Sequence, residues 1–174
     1  MTFWRFANSM AERRLFALVR ALAEAGVDFI VVGDLAAALE GAPATTLAVD
    51  VVYSREPENL DRLLGALAGL DAFFRIQPER RIRPAASHLA GSGHLNLSTR
   101  YGPLDLLGTI GRGRGYEELL PHSLEMDLGG DARIRVLDLR TVIAVKEEVA
   151  GEKDLAVLPI LKRTLREKEG RGPG

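Results

Sequence analysis

The stretch Asp28-Phe29-Ile30-Val31-Val32-Gly33-Asp34-Leu35-Ala36-Ala37-Ala38 decides the fold of this chain. Its first half is short, apolar and β-branched, which is typical of a buried strand. Gly33 ends that strand, and Asp34 has the side chain of a helix cap for a short helix over residues 35–39. A strand that runs through a glycine turn into a helix predicts an α/β domain with a mixed sheet and flanking helices.

Two further acidic positions extend this pattern. Asp50 lies in Ala48-Val49-Asp50-Val51-Val52, within a strand predicted over residues 47–53, and Asp105 lies in Leu104-Asp105-Leu106-Leu107. A carboxylate among valines is costly to bury unpaired, so Asp50 is expected at a cleft, on a metal or beside an arginine. Asp105 is nearer a hairpin, where exposure to solvent is another explanation. A glycine turn followed by carboxylates on two later strands is the layout of a two-metal phosphoryl-transfer site.

The rest of the chain alternates between helical and strand patterns. Helices are predicted over residues 10–25, from 57 to about 67, near 116–120, and over 139–150 and 152–169. Strand-like residues 73–76 precede a long loop over 78–93, and hairpins are predicted around 100–103 and 127–131. The predicted organisation is an α/β core over residues 1–138, a C-terminal helical segment over 139–169 packed on it, and a flexible tail over 170–174.

Composition excludes several classes of protein. The chain has 174 residues, of which 47% are hydrophobic, and it contains no cysteine. Disulfides, thiolate metal sites and cysteine nucleophiles are therefore absent, which fits a cytoplasmic protein. The N-terminus has no secretory pattern, and no apolar run approaches the ~20 residues that a membrane span needs. The three histidines lack the spacing of a zinc site.

Positive charge is concentrated in one segment. The net charge is −1, yet residues 75–114 contain seven arginines against Glu79 and Asp105, an excess of five positive charges. A cationic surface beside buried carboxylates suits a triphosphate or a nucleic-acid backbone. A solvated arginine-rich face explains the same composition. The turn Gly111-Arg112-Gly113-Arg114-Gly115 is expected to be flexible.

These motifs resemble small bacterial nucleotidyltransferases of the polymerase-beta-like superfamily over about residues 15–165. The similarity is carried by residues 26–36, by Ala48-Val49-Asp50, by Tyr101-Gly102-Pro103-Leu104-Asp105-Leu106-Leu107, and by Lys146 with Lys153-Asp154-Leu155. The resemblance implies transfer of a nucleoside monophosphate from a triphosphate to a hydroxyl acceptor, with Mg²⁺ or Mn²⁺ as cofactor. A protein or RNA is a candidate acceptor, and no membrane partner is expected.

The resemblance also assigns roles to individual residues. Asp50 and Asp105 match the second and third metal-binding, catalytic aspartates, whereas Ala48 stands where the first belongs. Gly33 matches the phosphate-loop glycine, and Asp34 replaces the usual glycine or serine. Asp34 either substitutes for the lost metal ligand or only caps the following helix.

The residues that complete the predicted nucleotide site are cations. Arg112 and Arg114 are candidates for steering the triphosphate, and Lys153 is a candidate phosphate ligand. Lys146 could reach phosphate, but its acidic neighbours Glu147 and Glu148 favour an ordinary helix surface.

Two functions follow from this pattern. The first is a metal-dependent nucleotidyltransferase, favoured by Asp50, Asp105 and the basic segment. The second is a catalytically silent member of the same fold that binds a partner or a nucleotide, as a regulatory or toxin–antitoxin component. Ala48 favours the second function.

Overall fold

The computed structural model describes residues 9–171 and contains one seven-stranded mixed sheet. Its strands lie in the order β3-β4-β5-β2-β1-β7-β6. Strands β2 and β5 are parallel, as are β1 and β7, and the other neighbouring pairs are antiparallel. The strands are β1 (Phe29–Val31), β2 (Val49–Tyr53), β3 (Phe73–Phe74), β4 (His94–Thr99), β5 (Gly102–Leu107), β6 (Ser123–Gly129) and β7 (Ala132–Leu137).

Seven α-helices accompany the sheet within the described residues. They are α1 (Met10–Glu24), α2 (Gly33–Leu39), α3 (Pro57–Gly69), α4 (Ala86–Leu89), α5 (Tyr116–Leu119), α6 (Leu139–Val149) and α7 (Glu152–Gly170). Two short 3-10 turns cover Pro78–Arg80 and Leu120–His122. The α/β class predicted from the sequence is confirmed.

Helix α1 shows how the sequence specifies these elements. Ser9 is its N-cap and accepts a hydrogen bond from the backbone N–H of Glu12, whose side chain bonds back to Ser9 in a capping box. The helix buries one apolar stripe, made of Leu15, Leu18, Val19 and Leu22. Its apolar face therefore packs against the core, in agreement with the predicted helix.

Strands β1 and β2 at the centre of the sheet are apolar apart from Asp50. Strand β1 is fully buried, and it pairs antiparallel with β2 so that Val31 faces Val51 across the ladder. On its other side, β2 runs parallel to β5, and the register sets Asp50 directly opposite Asp105. The topology thus brings together two carboxylates that are far apart in sequence.

The prediction of a long loop over residues 78–93 is wrong in one respect. This segment contains the first 3-10 turn and α4, and Leu89 in α4 is fully buried. The hydroxyl of Tyr53 donates a 2.7 Å hydrogen bond to the carbonyl of Leu89. The segment is therefore anchored to β2 and is not an open loop.

The predicted hairpins and closing helices agree with the structure. Strands β4 and β5 flank the first turn, β6 and β7 flank the second, and α6 begins at residue 139, the predicted start of the helical segment. Helices α6 and α7 contact each other, and α6 also contacts α2. The tail predicted for residues 170–174 lies mostly outside the described residues. Across residues 9–171, no helix combines the length and apolar character needed to cross a membrane.

Candidate functional site

The turn between β1 and α2 approaches Asp50 closely. Gly33 has φ +65°, and a β-carbon there would lie 2.7 Å from Asp50 Oδ2. Only glycine fits this position without a shift, because both the backbone conformation and the space exclude a side chain. The predicted turn at Gly33 therefore lies against Asp50, the carboxylate that the sequence predicts for the site.

Asp34 does not cap α2. The N-cap is Val32, which makes no side-chain capping bond, and Asp34 lies in the first helical turn. Its Oδ1 accepts a 2.9 Å hydrogen bond from the Nζ of Lys146 in α6. The helix-cap interpretation of Asp34 is therefore wrong, because its side chain bonds a distant lysine.

Asp50 is mostly buried and incompletely paired. Its Oδ1 atom is inaccessible to solvent and has no hydrogen-bond partner among the described residues. The pKa of Asp50 is raised to about 7, first by burial and then by the adjacent Asp105 carboxyl and the charge of Asp34, while Lys146 opposes the rise. A carboxyl group in this state is suited to bind a cation or to hold a proton near neutral pH.

Asp105 is held by an arginine from the basic segment. Arg75 donates to Asp105 Oδ1 and, through its other terminal nitrogen, to the carbonyl of Leu97 at 2.8 Å. The Asp105 side chain is 21% exposed to solvent. Simple exposure to solvent therefore does not explain Asp105, since it belongs to an ion pair beside Asp50.

Lys146 in α6 is a largely buried cation that forms ion pairs with residues of two other helices. Its side chain is only 12% exposed, and its Nζ lies 2.9 Å from Asp34 Oδ1 and 3.5 Å from Asp154 Oδ1. Asp34 belongs to α2 and Asp154 to α7, so the lysine joins three helices electrostatically. The predicted surface position of Lys146 is wrong, because this side chain points inward.

Asp34, Asp50 and Lys146 line one cavity of about 580 Å³, whereas Asp105 stands opposite Asp50 without lining it. Its lining combines charged residues from the Gly33 turn, β2, α6 and α7 with apolar side chains, most of them from α6 and α7. The polar lining residues are Gly33, Asp34, Thr45, Asp50, Lys146, Lys153 and Asp154; the apolar ones include Leu107, Ile110, Val142, Val145, Val149 and Val157.

The donor set fits one divalent ion more closely than two. Within residues 9–171, no three or more histidines, aspartates or glutamates are grouped to hold a metal. Asp50 has an unpartnered oxygen and stands opposite Asp105, and Mg²⁺ is commonly held by one or two carboxylates together with substrate phosphates. Asp34 already pairs with Lys146, and Ala48 offers no carboxylate. The residues present therefore offer ligands for one ion at most, and not for two.

The glycine–arginine turn lies beside the cavity and is anchored. Arg114 pairs with Glu148, and the backbone N–H of Arg112 donates to Glu148 Oε2 at 3.1 Å. Ile110, just before the turn, lines the cavity, whereas Arg112 and Arg114 do not. The predicted flexibility of this turn is wrong, because Glu148 binds both its backbone and one of its side chains.

The sequence analysis missed two contributors, Arg75 and the apolar face of α6, whereas Asp154 belongs to the closing motif that it named. A signal for the apolar face of α6 exists, since residues 142, 145, 146 and 149 recur at helical spacing and place Lys146 on the valine face. No comparable signal exists for Arg75, because its contact with Asp105 depends on the pairing of β3, β4 and β5.

Comparison with known proteins supports the fold and little beyond it. A crystal structure of a Thermotoga maritima protein, provisionally assigned as a nucleotidyltransferase, superposes with a TM-score of 0.53 at 15% identity, covering 89% of this chain and 92% of that one. No protein-family model and no curated protein sequence matches this chain. The similarity confirms the predicted fold class and makes the chain nucleotidyltransferase-like in architecture.

Proposed function

We propose that this chain binds a nucleoside triphosphate in the cavity beside Gly33 and transfers its nucleoside monophosphate to a hydroxyl acceptor. One observation carries the proposal: a single cavity joins the glycine turn, the Asp50 carboxylate that stands opposite Asp105, and the cations Lys146 and Lys153. The fold shared with the Thermotoga maritima protein is consistent with it.

The two kinds of residue that line the cavity suit the two parts of a nucleotide. The valine side chains of α6 and α7 offer an apolar surface for a base. The Lys146 and Lys153 ammonium groups and the backbone of the Gly33 turn offer positive charge and close approach for phosphates. Because α2 is short, the lysines are the stronger contributors to phosphate binding.

The proposed reaction forms one bond to the α-phosphorus and breaks another. The acceptor oxygen attacks the α-phosphorus, the bond from that phosphorus to the bridging oxygen of the β-phosphate breaks, and pyrophosphate leaves. The hydroxyl proton passes to solvent. Asp50 and Asp105 would hold one Mg²⁺ or Mn²⁺, which when bound supplies Lewis-acid neutralisation of phosphate charge. Arg75 holds the Asp105 carboxylate in an ion pair, and the Gly33 turn leaves room for the Asp50 carboxylate.

A second function is favoured by one specific observation. Ala48 removes the first carboxylate of the motif, and within residues 9–171 no third acidic group completes a metal cluster. A chain with this site could bind nucleotide without turnover and serve as a partner-binding or toxin–antitoxin component. This candidate predicts the same nucleotide complex and no release of pyrophosphate.

Calorimetric titration of each nucleoside triphosphate tests the proposal. The parent is titrated with Mg²⁺ and with chelator, beside Asp50→Asn and the control Asp131→Asn, which changes an exposed carboxylate of the β6–β7 turn. We expect Mg²⁺-dependent binding by the parent and the control, and its loss in Asp50→Asn. No heat with any triphosphate would reject the proposed site. Pyrophosphate release in the presence of candidate acceptors then separates the transferase from the silent binder.

A further inference from the structure

The cavity contains the largely buried ammonium group of Lys146, and the acidic motif beside it has an alanine, Ala48, in place of one carboxylate. The Lys146 side chain is almost enclosed, yet its two ion-pair partners come from different helices, α2 and α7. It lines the same cavity as Asp50 and is near enough to favour the charged form of that carboxyl. A lysine buried at a helix–helix junction is costly to keep charged unless its partners or a ligand compensate.

The strand beside it offers a single carboxylate as a metal ligand. Two carboxylates spaced i, i+2 on a strand can share two Mg²⁺ ions, but Ala48 leaves β2 with Asp50 alone. The backbone carbonyl of Ala48 is itself occupied, accepting a 2.7 Å hydrogen bond from Thr46 Oγ1. A bound triphosphate would nevertheless need its charge neutralised at more than one point.

The Asp34 carboxylate already has a cationic partner. Its Oδ1 is bonded to Lys146, and an unpaired anion at this position of the turn would repel phosphate. Lys146 therefore offsets the charge of Asp34 while its ammonium remains in the cavity. The pair therefore brings a positive charge into the cavity that Asp50 also lines.

We infer that Lys146 supplies the positive charge of the second divalent ion, binding the triphosphate directly after exchanging Asp34 for phosphate. The inference rests on the proposed nucleotide site and deepens it. Lysine is a common phosphate ligand that acts as a point charge, so it needs no octahedral set of oxygens. Asp154 holds the ammonium in the cavity both before and after the exchange.

The number of Mg²⁺ ions taken up with the triphosphate tests the inference without any assay of turnover. It is read from the dependence of triphosphate affinity on Mg²⁺ concentration. We expect one ion for the parent, and two for the double variant Ala48→Asp/Lys146→Gln, in which the carboxylate is restored and the ammonium removed. Uptake of two ions by the parent would overturn the inference.

Single variants test the contact itself. At saturating Mg²⁺, Lys146→Gln should weaken triphosphate binding by about 10- to 100-fold, the effect of losing a hydrogen bond to a charged group, and should weaken monophosphate binding much less. The matched control is Lys162→Gln, a half-exposed lysine of α7 that pairs with Glu147. Equal triphosphate affinity in Lys146→Gln and the parent would contradict the inference.

A second variant tests the inference even if Lys146→Gln does not fold. Asp34→Asn removes the competing anion and leaves Lys146 free to bind phosphate, so its triphosphate affinity should rise. A fall in affinity would mean that Asp34 is itself a ligand site, and it would overturn the inference. If the parent binds no triphosphate at all, the proposed function fails; if it binds and Lys146→Gln binds equally well, only the inference fails.

Discussion

A β-carbon at Gly33 would stand 2.7 Å from Oδ2 of Asp50, so the glycine turn and the central carboxylate are fitted to each other. The same glycine has φ +65°, a conformation that residues with side chains rarely adopt. Two separate penalties therefore apply at this position. One is backbone strain, and the other is collision with a buried charged group.

Gly33→Ala should consequently be more harmful than an alanine at an open glycine. We expect it to lower the free energy of unfolding by about 2–4 kcal/mol, measured by urea denaturation. The matched control is Gly113→Ala, since Gly113 also has positive φ (+88°) but no atom within 4 Å of the position that a β-carbon would take. The difference between the two variants measures the collision, and equal losses would show that Asp50 does not restrict the turn.

The raised pKa of Asp50 makes stability depend on pH. An aspartate ionises near 3.8 in the unfolded chain, whereas the pKa of Asp50 in the folded chain is about 7, so between these values the folded state binds more protons. The stabilising contribution is therefore fully present below about pH 4, is lost as pH rises to about 7, and is absent above it.

Asp50→Asn should remove this dependence. We expect the free energy of unfolding of Asp50→Asn, measured relative to the parent, to be higher at pH 8 than at pH 4.5 by on the order of 1–4 kcal/mol. Chemical denaturation at the two pH values, with chelator present, provides the measurement, and Asp131→Asn again serves as the control. A difference of the opposite sign would show that Asp50 is stabilised in its charged form.

The side chain of Glu148 should determine the order of the glycine–arginine turn. Its two oxygens bind Arg114 and the backbone of Arg112, and its side chain is only 13% exposed. Glu148→Ala should speed amide hydrogen exchange at residues 112–114 and cost about 1–3 kcal/mol of stability. Glu147→Ala, which removes the half-exposed neighbour paired with Lys162, should do neither. Unchanged exchange in Glu148→Ala would mean that the turn is held by other contacts.

The ion pair between Lys168 and Glu40 should matter more than the adjacent pair between Arg140 and Glu169. Glu40 is 3% exposed and its Oε1 has no hydrogen-bond partner among the described residues, so Lys168 is its compensating charge. Lys168→Ala should cost about 3 kcal/mol in urea denaturation, because it leaves a buried carboxylate unpaired. Arg140→Ala breaks the exposed pair with Glu169 and should cost less than about 1 kcal/mol. Similar losses in the two variants would argue against a special role for Glu40.

Much of the fold is accessible from local sequence patterns. The apolar runs within residues 28–53, the glycine turns of both hairpins and the stripe of α1 each depend on neighbouring residues, and each predicted element is present. The segment over residues 78–93 is different because its order comes from a contact of Tyr53 with Leu89, 36 positions apart. Local composition there indicates only a loop.

The sequence identifies the carboxylates Asp50 and Asp105 and the cation Lys153, but not the cations Lys146 and Arg75. Asp50 and Asp105 stand out because charge within an apolar strand is unusual, and the parallel register places them opposite each other. Lys146 is masked by two adjacent glutamates, one of which turns away to bind Arg114. Arg75 cannot be assigned from the sequence, since seven arginines share its segment and only the folded sheet selects one.

The cavity draws its walls from residues 32–50, from β5 and from the two closing helices. Strand β1 and the Gly33 turn are synthesised long before Lys146 and Asp154. On a ribosome, the early part of the chain therefore carries Asp50 and Asp34 without the lysine that offsets them. Formation of α6 and α7 adds Lys146 and Lys153 to the site, so binding of a ligand there would report that both helices have packed onto the earlier part of the chain.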